Sequence, residues 1–245
     1  RLNLTEIEQE QAQQLARFFL KSGNVFFLFG SRGTGKTEII SSVVKELGFT
    51  LNYINLSTLD RCDISGLPNL DDPSEVVQYK LPAFFPPLLP NQKANQILLL
   101  DEVDKCPPEV TAPLLEILQY RSINGKRINA HAVALTGNLL DEGAFSNALS
   151  TAILDRGSKY ILKFDFEKWL QWAMKNGIHD LILGFLRHSP QLTISPENEH
   201  YASPSPRGWF LASEALHRAR KMKIVDSESI CHIVSGFVGS SAGLQ

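Results

Sequence analysis

The segment Gly30-Ser31-Arg32-Gly33-Thr34-Gly35-Lys36-Thr37 stands between a short apolar run, Val25 to Phe29, and a helix-forming run, Glu38 to Leu47. Nothing else in the chain restricts the fold so strongly. A strand that enters Gly-x-x-x-x-Gly-Lys-Thr and leaves as a helix makes a phosphate-binding loop. Its glycines let the backbone wrap closely around a β-phosphate, and successive N–H groups with the helix N-terminus present partial positive charge to it. Lys36 adds a point charge for the β- and γ-phosphates, and the Thr37 hydroxyl suits Mg²⁺. The expected ligand is ATP with Mg²⁺, bound through Gly30, Ser31, Arg32, Gly33, Thr34, Gly35, Lys36 and Thr37.

A second motif lies downstream. Ile97-Leu98-Leu99-Leu100-Asp101-Glu102 reads as a buried strand ending in two acids, which places both carboxylates at the carboxyl edge of a sheet, where ligands of such folds sit. Asp101 is expected to hold Mg²⁺, mostly through water, and Glu102 to orient or deprotonate an attacking water. An apolar run followed by Asp-Glu is common by itself; the phosphate loop upstream gives it meaning.

Five apolar runs, Val25 to Phe29, Leu51 to Ile54, Ile97 to Leu100, Ala132 to Leu135 and Tyr160 to Leu162, alternate with helical patterns. This predicts a parallel sheet in a three-layer α/β domain. The first stretch, Leu4 to Lys21, has the spacing of one amphipathic helix. The connection from Leu56 to Gln96 is long and rich in Pro and Asp, so it is expected to carry added structure. Asn124-Gly125 between short flanks predicts a β-hairpin over 121–128, projecting before the fourth core strand. Pro113 is expected to kink or shorten the helix after Asp101-Glu102. Beyond Lys163 only helical patterns continue, with Trp169, Trp172 and Trp209 as expected core. The domains predicted are therefore an α/β core over 1–163, with an insert at about 57–95, and a small all-helical domain over 164–245.

Composition removes several function classes. A formal net charge of −2 and a pI near 6.3 give no basic surplus for nucleic acid as a bulk property. Cys62, Cys106 and Cys231 are widely spaced, with no Cys-x-x-Cys, so neither a disulfide framework nor a zinc site is indicated and a reducing cytoplasm is expected. The apolar runs fall well short of the roughly 20 residues of a membrane helix, and no segment reads as a signal peptide.

The order of phosphate loop, Asp101-Glu102 and then Ala132-Val133-Ala134-Leu135-Thr136-Gly137-Asn138 resembles an AAA+ ATPase, in which the fourth strand ends in a polar sensor residue. Asn138 matches that sensor, and its amide would hydrogen-bond the γ-phosphate and the attacking water. Leu149-Ser150-Thr151-Ala152-Ile153-Leu154-Asp155-Arg156 is similar to a segment of the MoxR-type members, which implies that Arg156 faces a neighbouring subunit's ATP as an arginine finger. Ser203-Pro204-Ser205-Pro206-Arg207 resembles the sensor of the helical lid, with Ser205 suited to an N-cap and Pro206 to the first helical position. Arg207 would then point at the γ-phosphate. The insert and the Asn124-Gly125 hairpin resemble insertions of the same family. Ser31-Arg32 in the phosphate loop and Gly157 after Arg156, where the family usually has phenylalanine, depart from its pattern.

The resemblance implies a P-loop AAA+ core with a helical lid, hydrolysis of Mg-ATP, a homo-oligomeric ring with a hexamer favoured, and remodelling of a partner protein, a protein with a von Willebrand factor A domain being one form of it. Two other readings stand beside it. A nucleic-acid-associated ring ATPase would use Lys126 and Arg127 on the hairpin to track phosphates, and a nucleotide-gated adaptor would bind ATP with little turnover. Asp104 and Lys105, after the acidic pair, read as a solvated turn or a subunit contact.

Overall fold

The computed structural model describes residues 4–71, 73, 75–138, 151–194, 203–224 and 226–243. In chain order the strands are Thr5–Ile7 (β1), Val25–Phe29 (β2), Thr50–Asn55 (β3), Leu67–Pro68 (β4), Tyr79–Lys80 (β5), Gln96–Asp101 (β6), Ser122–Ile123 (β7), Lys126–Arg127 (β8), Ala132–Gly137 (β9) and Ser158–Leu162 (β10). Six of them form one all-parallel sheet in the order β1-β10-β2-β9-β6-β3. The five predicted apolar runs are all in it.

Successive side chains of a strand point to opposite faces, so a strand covered on both sides must be apolar throughout. Strand β2 meets that condition, with all five residues buried. On one face Phe26, Leu28, Leu99 and Ala134 pack against Ala12, Ala16 and Leu20 of the helix Gln9–Lys21 (α1) and Ile40 and Val43 of the helix Lys36–Glu46 (α2). On the other, Phe27, Phe29, Leu98, Leu100 and Leu135 pack against Ile64 of the helix Arg61–Ser65 (α3) and Leu114 and Ile117 of the helix Thr111–Tyr120 (α4). The result is the three-layer α/β core expected.

The chain divides into two compact units, Arg1–Gly30 with Gly35–Lys163, and Ser31–Thr34 with Phe164–Gln245. Helices Phe166–Lys175, Asp180–His188, Pro206–Lys221 and Ser227–Val238 build the second around Leu186, Trp209, Leu216 and Val238. Ser205 caps its longest helix by accepting from the Gly208 N–H at 3.0 Å, and Pro206 takes the first helical position. Trp209 is buried and donates its indole N–H to the Leu192 carbonyl at 2.9 Å. Trp169 only borders this core, and Trp172 is 45% exposed, so it is not the core residue expected.

Three local expectations need correction. The first stretch is not one helix: Thr5–Ile7 pairs in parallel with β10, and α1 begins after Glu8. Thr and Ile favour a strand, and the stop signal is a reciprocal capping box between Glu8 and Gln11. The hairpin forms as predicted, with Asn124 at φ 48° and Gly125 at φ 74°, but it does not project freely. Glu116 of α4 accepts from both turn N–H groups, and Asn124 donates to the Ser65 carbonyl at 2.6 Å. Pro113 does not kink α4, because the helix starts at Thr111 and puts the proline in the first turn, where backbone N–H groups have no intrahelical acceptor. The chain approaches it through a 3-10 turn, Pro108–Val110.

Gly157 starts the return into β10, and a Cβ there would stand 2.6 Å from the Val25 carbonyl oxygen and 2.7 Å from its Cγ1. No side chain fits, which is why phenylalanine is excluded at this position. Gly157→Ala is expected to destabilise the protein by about 1–3 kcal/mol, measured as a lower denaturation midpoint at unchanged m-value. Cys106 is buried and its thiol is pushed up to about 11, first by burial and then by Glu109, whereas Cys62 is exposed. Since the thiolate is the reactive form, iodoacetamide at pH 8 should label native Cys62 at least roughly tenfold faster than Cys106, as read by peptide mass mapping.

Candidate active site

The order of the sheet brings the carboxyl ends of β2, β9 and β6 side by side, with Phe29 opposite Gly137 and Leu100 opposite Leu135. Gly30, Asn138 and Asp101 therefore meet at one edge. Strand β3 adds a fourth end, with Asn55 opposite Asp101.

Gly35, at φ 86°, occupies left-handed backbone as the N-cap of α2, a conformation that glycine adopts without a Cβ penalty. The helix thus begins at Lys36 and Thr37. Lys36 is buried, and its ammonium donates to the Gly30 carbonyl at 2.8 Å and to the Asn138 side-chain oxygen at 3.1 Å. The loop cation and the sensor amide of the sequence reading are in direct contact. At the loop tip, the Thr34 hydroxyl donates to the Ser31 carbonyl at 2.9 Å, and Ser31 and Arg32 are exposed.

Asp101 gathers donors from four elements or junctions. The Thr37 hydroxyl reaches one carboxylate oxygen at 3.3 Å and the Tyr53 hydroxyl reaches the same oxygen at 3.0 Å. The other oxygen accepts from the Thr136 hydroxyl and from the Glu102 N–H at 3.0 Å.

Glu102 lies in left-handed backbone, φ 56° and ψ 41°, which for a residue with a Cβ costs on the order of 1–3 kcal/mol. That turn ends β6 and starts the 3-10 segment Val103–Lys105. Its carboxylate accepts from the Ser57 hydroxyl at 2.7 Å, Lys105 at 3.0 Å and the Asn55 amide at 3.4 Å. The Ser57 hydrogen bond, followed by Lys105, holds this carboxyl below the usual glutamate range against the opposing effect of burial. It is therefore ionised at neutral pH.

Asp104 is neither solvated nor at the surface. It is 3% exposed, and one oxygen accepts from the Asn138 N–H at 3.0 Å. The other is buried without a hydrogen-bond partner among the described residues. A Cβ at Gly137 would come 2.8 Å from Asp104, so glycine is needed for the carboxylate to reach Asn138. Lys105 ends the 3-10 turn Val103–Lys105, with its side chain partly exposed and paired with Glu102 at 3.0 Å.

The two arginines are placed differently. Arg156 follows the short helix Thr151–Leu154 and donates to the Ala152 carbonyl at 3.0 Å and the Gln119 side chain at 3.1 Å, while its buried Nε has no hydrogen-bond partner among the described residues. Leu149 and Ser150, the start of the segment that carries the MoxR resemblance, lie outside the described residues. Arg207 is exposed at the second position of Pro206–Lys221, in the second unit.

Sequence reading missed Tyr53, Asn55, Ser57 and Thr136. Only Asn55 and Ser57 left a local trace, an Asn-x-Ser after an apolar run, where the Asn55 side chain accepts from the Ser57 N–H at 2.9 Å. Among the described residues no group of three or more His, Cys, Asp and Glu side chains is placed to hold a metal alone, and no helix is long and apolar enough to cross a membrane.

Comparison with known proteins agrees with this arrangement. No curated protein matches the chain significantly. Among solved structures, two variants of Thermotoga maritima RuvB superpose with TM-scores of 0.56 and 0.55 at 14% and 12% identity, covering 96% of this chain and 68% and 67% of theirs. NtrX from Brucella abortus in complex with ADP superposes with a TM-score of 0.50 at 13% identity, covering 95% of this chain and 66% of that one. Such identities speak for a shared fold. The family model for the AAA domain (dynein-related subfamily) matches residues 25–156, a span that runs from the first residue of β2 through the phosphate loop, both acids and Asn138 to Arg156. With over half of its length matched in this way, the chain belongs to the AAA domain family of ATPases.

Proposed function

We propose that the protein hydrolyses Mg-ATP as a MoxR-like AAA+ ATPase, working in a homo-oligomeric ring, a hexamer by preference, that remodels or activates a partner protein. One observation carries the hydrolytic reading: Lys36, Thr37, Asp101, Glu102 and Asn138 converge at one sheet edge beside a glycine-hinged helix N-terminus. The donor set also suits Mg²⁺. A hydroxyl and a carboxylate, Thr37 and Asp101, lie 3.3 Å apart, and this cation takes hard oxygen ligands and keeps several waters. Bound there, Mg²⁺ would neutralise phosphate charge.

The residues then divide the work. The loop N–H groups and Lys36 bind the phosphates, and Lys36 exchanges its contacts to Gly30 and Asn138 for phosphate oxygens. Asn138, released from Lys36, orients the attacking water, and Glu102 accepts its proton. The water oxygen forms a bond to the γ-phosphorus as the bond to the bridging oxygen breaks, and ADP leaves with that electron pair. Such a reaction is catalysed mainly by positioning and charge stabilisation. Arg156 supplies positive charge to the neighbouring subunit's ATP, after giving up Gln119 and Ala152, and Arg207 supplies it from the lid to the γ-phosphate of its own chain's ATP, or of its neighbour's if the lid is displaced.

The protein partner, with a von Willebrand factor A domain as one form of it, rests on the MoxR resemblance alone. Three free thiols suit action in the cytoplasm. The nucleic-acid reading is less favoured, because Lys126 on the hairpin is engaged by the Tyr79 carbonyl. The adaptor reading is less favoured because the chain carries Glu102, Asn138, Arg156 and Arg207 together, and single-turnover hydrolysis decides between the two.

Lys36→Ala is expected to weaken ATP binding roughly 10- to 100-fold, whereas Glu102→Gln keeps binding and lowers turnover about 10²- to 10⁴-fold. Nucleotide titration and single-turnover hydrolysis check both, and normal turnover by Glu102→Gln would sink the assignment. The ring reading is tested by mixing Arg156→Ala subunits with Lys36→Ala subunits, once energy transfer between labelled chains has shown exchange. Recovered hydrolysis places Arg156 in trans; exchange without recovery gives it an in-cis structural role. Because a finger is worth roughly 10³ to 10⁵ in rate, specific activity should also rise steeply with protein concentration.

A further inference from the structure

We infer that Tyr53 is a positioning residue for Asp101, holding its carboxylate in the orientation that a divalent cation requires; this rests on the ATPase reading of the site. Tyr53 sits on β3, the edge strand of the sheet, in register with Leu99, while Asn55 is in register with Asp101. Residues two apart on a strand share a face, and a diagonal neighbour on the next strand is within reach of a long aromatic side chain. The phenol uses that diagonal and donates to Asp101 Oδ2 at 3.0 Å.

An ionised carboxylate offers about four acceptor sites. In Asp101 they meet four donors: Tyr53 and Thr37 on Oδ2, Thr136 and the Glu102 N–H on Oδ1. The Oδ1 side is fixed by the adjacent strand and by Asp101's own chain. The Oδ2 side faces Thr37, the hydroxyl proposed as a metal ligand, and of its two donors Tyr53 is the closer. Burial does not account for a tyrosine here, since 49% of it is exposed. Without the phenol, rotation of the carboxylate about its last bond is restrained on the metal side, among the described residues, only by the longer contact to Thr37. Partners that orient a ligating carboxylate typically change metal affinity 10- to 100-fold when removed.

The test uses the whole chain and N-methylanthraniloyl-ADP as probe. Fluorescence anisotropy is followed while MgCl₂ is titrated, and nucleotide affinity is measured separately in EDTA. Tyr53→Phe, which keeps the ring, is expected to raise the Mg²⁺ midpoint at least about tenfold, with affinity in EDTA and the melting temperature unchanged. Asp101→Asn should raise the midpoint further, and adding Tyr53→Phe to it should change nothing more, because a residue acting through Asp101 has no effect once that carboxylate is gone. An unchanged or lower midpoint for Tyr53→Phe beside a raised one for Asp101→Asn overturns the inference and leaves the ATPase reading standing. A shift that persists in the Asp101→Asn background also overturns it. Should Asp101→Asn itself leave the midpoint unmoved, the metal assignment fails and the role of Tyr53 fails with it.

Discussion

Strand β9 runs between β2 and β6, and the arrangement of the site depends on that pairing. The chain leaves β2 through the phosphate loop, crosses to the sheet edge at β3, returns through β6 and fills the gap last with β9. Strand β2, which leads into the loop before Lys36, and strand β6, which ends at Asp101, do not pair with each other and are joined only through β9. Its registers with both neighbours set Thr136 against Asp101 and Asn138 against Lys36. Parallel pairing needs each strand to be reached by a crossover. Helix α2, the first helix of one such crossover, also brings Lys36 and Thr37 of its first turn to the site.

Charge at this edge is held by short polar contacts in buried surroundings. Lys36 and Asp104 are both almost fully buried, and neither is matched to the other as an ion pair; they are linked through opposite ends of Asn138, one at its side chain and one at its N–H. In a low-dielectric setting such contacts are stronger than in water and costly to leave unmade. A single asparagine therefore stands between a buried cation and a buried carboxylate. Glu102 differs, being partly exposed and held by Ser57 and Lys105 from elements outside the β2–β9–β6 edge.

Much of this was legible in the sequence, for physical reasons that can be named. Strands buried on both faces announce themselves as continuous apolar runs, and all five such runs are strands. The phosphate loop is local, its chemistry contained in eight consecutive residues and the helix that follows. Asn124-Gly125 gave its turn because two adjacent left-handed residues exclude most side chains. The edge strand β1 escaped because three residues with one buried side chain carry too short a pattern to oppose the helical spacing after them. Tyr53 and Thr136 escaped because their importance lies in a partner, Asp101, that a different strand brings within reach, and spacing along one chain does not encode that. Asp104 was misread for a related reason: a charged residue after a strand is usually solvated, and here Gly137 opens a place for it across the sheet.

The hairpin and the long insert look like two separate additions in the sequence, some twenty-five residues apart. In the fold Asn124 binds the Ser65 carbonyl, Lys126 binds the Tyr79 carbonyl, and Pro87 bridges to Ile128, while Phe85 and Ile123 share one core cluster. They form one platform stitched by backbone contacts. Lengthening or trimming either addition alone would cost the other its contacts, so the two behave as one unit of stability rather than as independent loops.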